Sequence, residues 1–330
     1  MVISEEKERR ISHGEFPKNW FSFLLINNQT WIITDFSNKS WRTSDAGKTW
    51  QKQFEAKSLI RLPSFLDFQT GYILVDSKLY RTIDSGNNWS ELNDLTDTKA
   101  TIIKFSNEHT AFLLAPDKRF NYEILKSEDG GIDWNLTANH VSNNETQYKW
   151  NLHDIQFWHN MGVAVGNGKC LISNDFGDSW KECGNIEGRF DRIDSSKKGL
   201  FLLVENIVSS SLVFDIHSKK ISNIELPKNS QNSSYLYLSS WGEFYFLTPY
   251  GELFKSSNGQ EWNSVKIKNA QWDLARQKQL DQNELPQVLL GETFYGELIA
   301  IMITNSGSSM IAIGSDDKAA SWNVVSENSR

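Results

Sequence analysis

The chain of 330 residues contains no apolar run near the roughly 20 residues that a membrane-spanning helix needs, and it has only two cysteines. Two cysteines exclude a disulfide scaffold and a four-ligand zinc site. Basic excess is missing as well: 34 lysines and arginines against 41 aspartates and glutamates leave a net charge of −7. Nucleic acid and anionic membranes attract the opposite sign, so neither is expected as a partner, whereas an acidic surface suits a basic protein. The six histidines have no metal-ligand spacing. No glycine-rich phosphate cradle stands between a strand and a helix, and GNGKC (166–170) reads as a hairpin turn. No metal and no cofactor are expected. The opening MVISEEKERRISHGEF is charged and lacks the apolar core of a signal peptide. The expected location is cytoplasmic, or secreted or periplasmic for a chain released from a leader-bearing precursor.

What the chain does have is a repeat. Thr43-x-Asp45-x-Gly47-x-Thr49-Trp50 recurs as Thr82-x-Asp84-x-Gly86-x-Asn88-Trp89, as Ser127-x-Asp129-x-Gly131-x-Asp133-Trp134 and as Ser173-x-Asp175-x-Gly177-x-Ser179-Trp180. A shortened copy ends at Trp262, and a worn one runs from Ser315 through Asp317 to Trp322. The tryptophans lie 39, 45, 46, 82 and 60 residues apart. A period of about 40 to 50 marks propeller blades or solenoid units. The gap of 82 spans two periods, with residues 211–226 reading as a hairpin whose loop is rewritten, and the gap of 60 is one period plus an insertion. Seven units result.

Each unit carries four short β-rich runs separated by turn residues, as in RLPSFLDF, TGYILVD, SKLYRTID and NWSELN over 61–94. Four antiparallel strands repeated seven times predict an all-β, seven-bladed β-propeller over 19–330, with a polar tail over 1–18 and an insertion at 264–290 between blades 6 and 7. The motif falls between the third and fourth strands. Its hydroxyl and carboxylate can bond their own turn, its glycine supplies an unusual backbone conformation, and its tryptophan is expected to start the outer strand with a buried ring. Blades 1 and 7 each read as complete from their own terminal strands, so ring closure by strand exchange is not expected.

The motif resembles the Asp-box, or BNR repeat, of sialidases, sortilin-type receptors and photosystem II assembly-factor propellers. The resemblance covers about residues 19–327 and implies Asp-box hairpins on one face, with binding residues on the other. It also makes Asp45, Trp50, Asp84, Trp89, Asp129, Trp134, Asp175, Trp180, Trp262, Asp317 and Trp322 structural.

Candidate binding residues are those that do not recur with the blade. Arg42, Arg81, Lys126 and Lys255 recur just before the motif and read as architecture. Arg61, Arg119, Arg189, Arg192 and Arg276 do not recur, and arginines suit carboxylate recognition. Tyr250 and Glu252 in TPYGEL are loop candidates. Trp272 and Arg276 belong to QWDLARQKQLDQNELPQ (271–287), rich in helix formers and closed by Pro286. Two functions follow as expectations. One is a non-catalytic protein-binding scaffold of the WD40/YVTN-like kind, such as a bacterial inhibitor or immunity protein or an assembly factor, with its partner on the face opposite the motif. The alternative is a sialidase-like hydrolase or lyase on acidic sugars, which needs three arginines converging beside a tyrosine–glutamate pair. Cys170 and Cys183 share a position sum with Ser173 and Trp180, so an unbulged hairpin sets them opposite each other, joined in an oxidising compartment and as adjacent thiols in a reducing one.

Overall fold

The computed structural model describes residues 20–58, 60–116, 122–138, 152–167, 169–183, 186, 188–205, 211–227, 234–282, 286–303 and 309–329. Seven four-stranded antiparallel sheets follow one another along the chain, and in each the strand order is the sequence order. They are blades 1 to 7, over 20–55, 64–94, 102–138, 152–182, 190–223, 235–265 and 287–329. The chain is a seven-bladed β-propeller. Blade 5 keeps its outer hairpin, Leu212–Asp215 with Lys220–Asn223, although its motif is gone.

Strand chemistry follows radial position. Second strands such as Trp31–Asp35 and Leu298–Ile303 are buried at every position. Neighbouring blades cover both of their faces, so they read as continuous apolar runs rather than alternating ones. Outer strands such as Ser90–Asp94 are largely exposed and polar.

The repeated turn has one geometry. The hydroxyls of Thr43, Thr82, Ser127, Ser173 and Ser315 donate to the following aspartate at 2.7–2.8 Å. Each hydroxyl also accepts an N–H two residues beyond that aspartate, from Gly47, Gly86, Gly131, Gly177 or Ala319, at 2.8–3.0 Å. The residue before the glycine is left-handed as well, with φ of 57° at Ala46, 60° at Ser85 and 59° at Phe176. Its N–H reaches the first hairpin turn of the same blade: Ala46 donates to the Gln29 carbonyl, Ser85 to Gln69, Gly130 to His109 and Phe176 to Asn160, at 2.7–3.0 Å. That bond holds an otherwise disfavoured conformation in place. The tryptophans immediately precede the outer strands rather than starting them. Trp50 and Trp322 are buried, whereas Trp89, Trp134, Trp180 and Trp262 are half-buried.

The inner strand of each blade is a sheet edge with unpaired N–H groups. The preceding blade satisfies several. Ser64 accepts from Phe105 N–H at 2.9 Å, Asp154 from Ile193 N–H at 2.8 Å and Asp194 from Leu238 N–H at 3.3 Å. Blades 1 and 7 close the ring by packing: Trp31, Trp41 and Trp50 share a core with Ile299, Ile301 and Met310. Cys170 and Cys183 lie in register on the outer hairpin of blade 4 with Cα atoms 5.5 Å apart, a separation that a disulfide spans.

Candidate functional site

The meander divides the turns between two sides of the ring. First-to-second-strand turns and motif turns share one side, here the motif side. Second-to-third-strand turns and blade connections share the other.

The opposite side carries most of the candidates read from the sequence. Arg61 lines a depression of about 170 Å³ with Ser58, Asp76 and Thr101. Arg189 pairs with Asp191 at 3.1 Å, and the same carboxylate oxygen lies 2.7 Å from His153 Nδ1. Arg119 lies outside the described residues. Trp150 does too.

The insertion forms helix α1 (Ala270–Gln282), capped where Asn269 Oδ1 accepts the N–H groups of Gln271 and Trp272 at 3.1 Å. Trp272 is fully buried, and its indole N–H donates to the Gly251 carbonyl at 3.0 Å. Trp272 therefore fastens the helix to the ring and leaves no ring surface for a partner, a correction to its reading as a contact residue. Arg276 donates through Nε to the Tyr250 carbonyl and stands 3.8 Å from Glu252. Tyr250, Glu252, Trp272 and Arg276 thus form one clamp. Leu274 faces out from it, 54% exposed.

Arg192 lies on the inner strand Phe190–Ser195, along the channel. Its guanidinium pairs with Asp194 at 3.0 Å, donates to the Leu236 carbonyl and sits 4.6 Å from the Tyr235 ring centre. Burial pushes the Asp194 carboxyl up, opposed by Arg192. Burial raises Asp154 in the same way, opposed by Lys104. Arg61, Arg189, Arg192 and Arg276 therefore each have their own surroundings, and the channel carboxylates Asp154 and Asp194 hold backbone N–H groups.

A cavity of about 680 Å³ opens on the motif side between blades 2, 3 and 4. Phe65, Lys104, Gln156, Phe157, His159 and Phe176 line it. A size exchange between paired residues makes room there. Phe65 lies opposite Gly71 and Phe157 opposite Gly162, and a Cβ on either glycine would come within 2.6 Å of the ring. In blades 5 and 6 the large residue is on the second strand instead, in Ser195↔Phe201 and Leu238↔Phe244. In blades 2, 3 and 4 the ring therefore stands on the inner strand at its motif-side end, with Phe105 opposite Ala111 in blade 3. Sequence reasoning looked to the other side; the Phe–Gly pairing at matching blade positions was the available signal.

No family profile matches the chain, and no curated protein does. Several solved structures share the fold. A structure of YCF48 bound to D1 peptide aligns with a TM-score of 0.54 at 16% identity, covering 90% of this chain and 89% of that one. An ancestral GH74 enzyme aligns at 0.62 and 12% identity, covering 93% of this chain but 46% of the enzyme. The WD40 propeller domain of Doa1 aligns at 0.54 and 9% identity, with 92% and 95% covered.

Proposed function

We propose that the chain is a non-catalytic protein-binding propeller whose partner docks on the side opposite the motif turns. The clamp of α1 carries this reading. The helix is the one α-helix among the described residues, and buried Trp272 holds it rigid, so Leu274 is presented without a large ordering cost. Arg61 and the exposed Phe36, 64% accessible, offer a charged and an aromatic contact on the same side. The YCF48 structure holding a peptide, and the WD40 neighbour, support a ring used to bind protein. On this reading the eight-residue turns are Asp-boxes, the net charge of −7 favours a basic partner, and the role is that of a cytoplasmic inhibitor, immunity protein or assembly factor.

Affinity capture from the native host tests it, with wild type compared against Arg61→Glu and Leu274→Glu. A stoichiometric partner retained by wild type and lost from both variants is expected. The alternative, turnover of acidic sugars, is tested with a fluorogenic sialoside, and robust hydrolysis would replace the binding role.

A further inference from the structure

The motif-side cavity has a local charge that runs against the molecule. Its lining contains no aspartate or glutamate, and Lys104 is its single lysine or arginine. Among the described residues the Lys104 ammonium makes no hydrogen bond and no close ion pair. Burial lowers its pKa, while Asp154 and Asp194 pull the other way from a distance. Those two carboxylates are engaged elsewhere. Asp154 accepts the N–H groups of Ile155 and Ile193, both at 2.8 Å, and Asp194 accepts from Arg192 and from Leu238. Lys104 is half-buried, and an ammonium partly withdrawn from water with no carboxylate in contact is costly, a cost that an anion brought into the cavity would lower.

Beside the cavity lies an apolar ledge. Tyr295 is 67% exposed and Phe68 is 40% exposed, with ring centres 5.7 Å apart. Phe294 joins this ledge to the cavity wall, 6.3 Å from Phe65. The ledge spans three blades because the blade 7 turn leans over blade 1, where Phe294 N–H donates to the Ile26 carbonyl at 3.3 Å. The rim carboxylate of Asp67 is turned onto the N–H groups of Gln69 and Thr70, both at 2.7 Å, and so does not compete for Lys104. A lone cation in a cavity of peptide-accommodating size, next to exposed aromatic rings, is complementary to a carboxylate flanked by an apolar side chain.

We propose that this cavity and ledge recognise an acidic segment of a partner protein, with an aspartate or glutamate side chain meeting Lys104 while an adjacent aromatic or aliphatic side chain lies on Phe68 and Tyr295. The site is independent of any partner on the opposite side.

Fluorescence anisotropy at neutral pH and low salt tests it, using the full chain and a labelled, end-capped Ser-Phe-Glu-Phe-Ser peptide beside its Ser-Phe-Gln-Phe-Ser counterpart. Wild type should bind the glutamate peptide roughly tenfold more tightly than the glutamine one, as for a partly desolvated charge pair. Lys104→Met should lose the preference and Lys104→Arg should keep it. Phe68→Ser with Tyr295→Ser should weaken both peptides alike. Arg61→Glu should change neither, which separates this site from the opposite side. No binding by wild type, equal binding of the two peptides, or a preference surviving in Lys104→Met overturns the proposal. The wild-type comparison stands even if a variant fails to fold.

Discussion

Tyr72 of blade 2 and Phe105 of blade 3 stack with ring centres 3.5 Å apart and planes 7° from parallel. Phe112 of blade 3 and Phe157 of blade 4 repeat the arrangement at 4.0 Å and 20°. In both cases the residue one place after a small second-strand residue, Gly71 or Ala111, meets an inner-strand ring of the next blade. These stacks join successive blades where the cavity opens. Tyr72→Ala or Phe112→Ala should cost about 3–5 kcal/mol in denaturant unfolding. A Tyr72/Phe105 double-mutant cycle should give a coupling of about 0.5–1.5 kcal/mol. Simple additivity would mean that the rings are neighbours without interacting.

Gly177 has φ of 82°, and a Cβ there would come 2.2 Å from the Phe112 ring. Gly177→Ala combines backbone strain with overpacking and should lose about 2–4 kcal/mol. Gly296 has φ of 83° but no atom nearer than 3.7 Å to such a Cβ. Gly296→Ala should therefore cost only about 1 kcal/mol. Equal losses at the two sites would show that sterics contribute nothing beyond φ.

The Asp175 carboxyl is held down to about 2 by the Ser179 hydroxyl and N–H, and Asp317 to about 2 by the Ser321 hydroxyl and N–H. An unfolded aspartate titrates near about 3.9. A folded value below the unfolded one means that the stabilisation is present above about pH 4 and is lost as pH falls towards about 2. The melting temperature should drop across that window, and Asp175→Asn with Asp317→Asn should flatten the drop. An unchanged acid limb in the double variant would contradict the turn geometry.

Trp272→Ala should release α1 without unfolding the ring, because Trp272 is the buried anchor of the helix and its indole bonds Gly251. Limited trypsin digestion should then cut at Arg276 much faster than in wild type, with the blade core still protected. Unchanged protection at Arg276 would mean that other contacts hold the helix.

The blades were legible because their punctuation is local: hydroxyl, aspartate, glycine and tryptophan recur within eight residues, and the bonds from Thr43 to Asp45 and Gly47 never leave the turn. The in-register facing of Cys170 and Cys183 was legible for the same reason. The inward burial of Trp272 was not, since it depends on Gly251, 21 residues earlier and in another blade element. The cavity was hidden for a related reason. The Phe65–Gly71 and Phe157–Gly162 pairs that make room for it are local, but they enclose a cavity only through the way blades 2, 3 and 4 converge on the channel, which has no short-range signature. The channel arginine is a further case: Arg192 read as a free anion binder, yet Asp194 lies two residues away and takes its guanidinium.

Native mass spectrometry of the chain purified gently from its own host bears most directly on the binding role. Wild type should appear as the 37.9 kDa chain plus one protein partner, and the Arg61→Glu, Leu274→Glu double variant should appear at 37.9 kDa alone. A wild-type chain found only by itself, or a complex that the double variant retains intact, would contradict docking on the side opposite the motif turns.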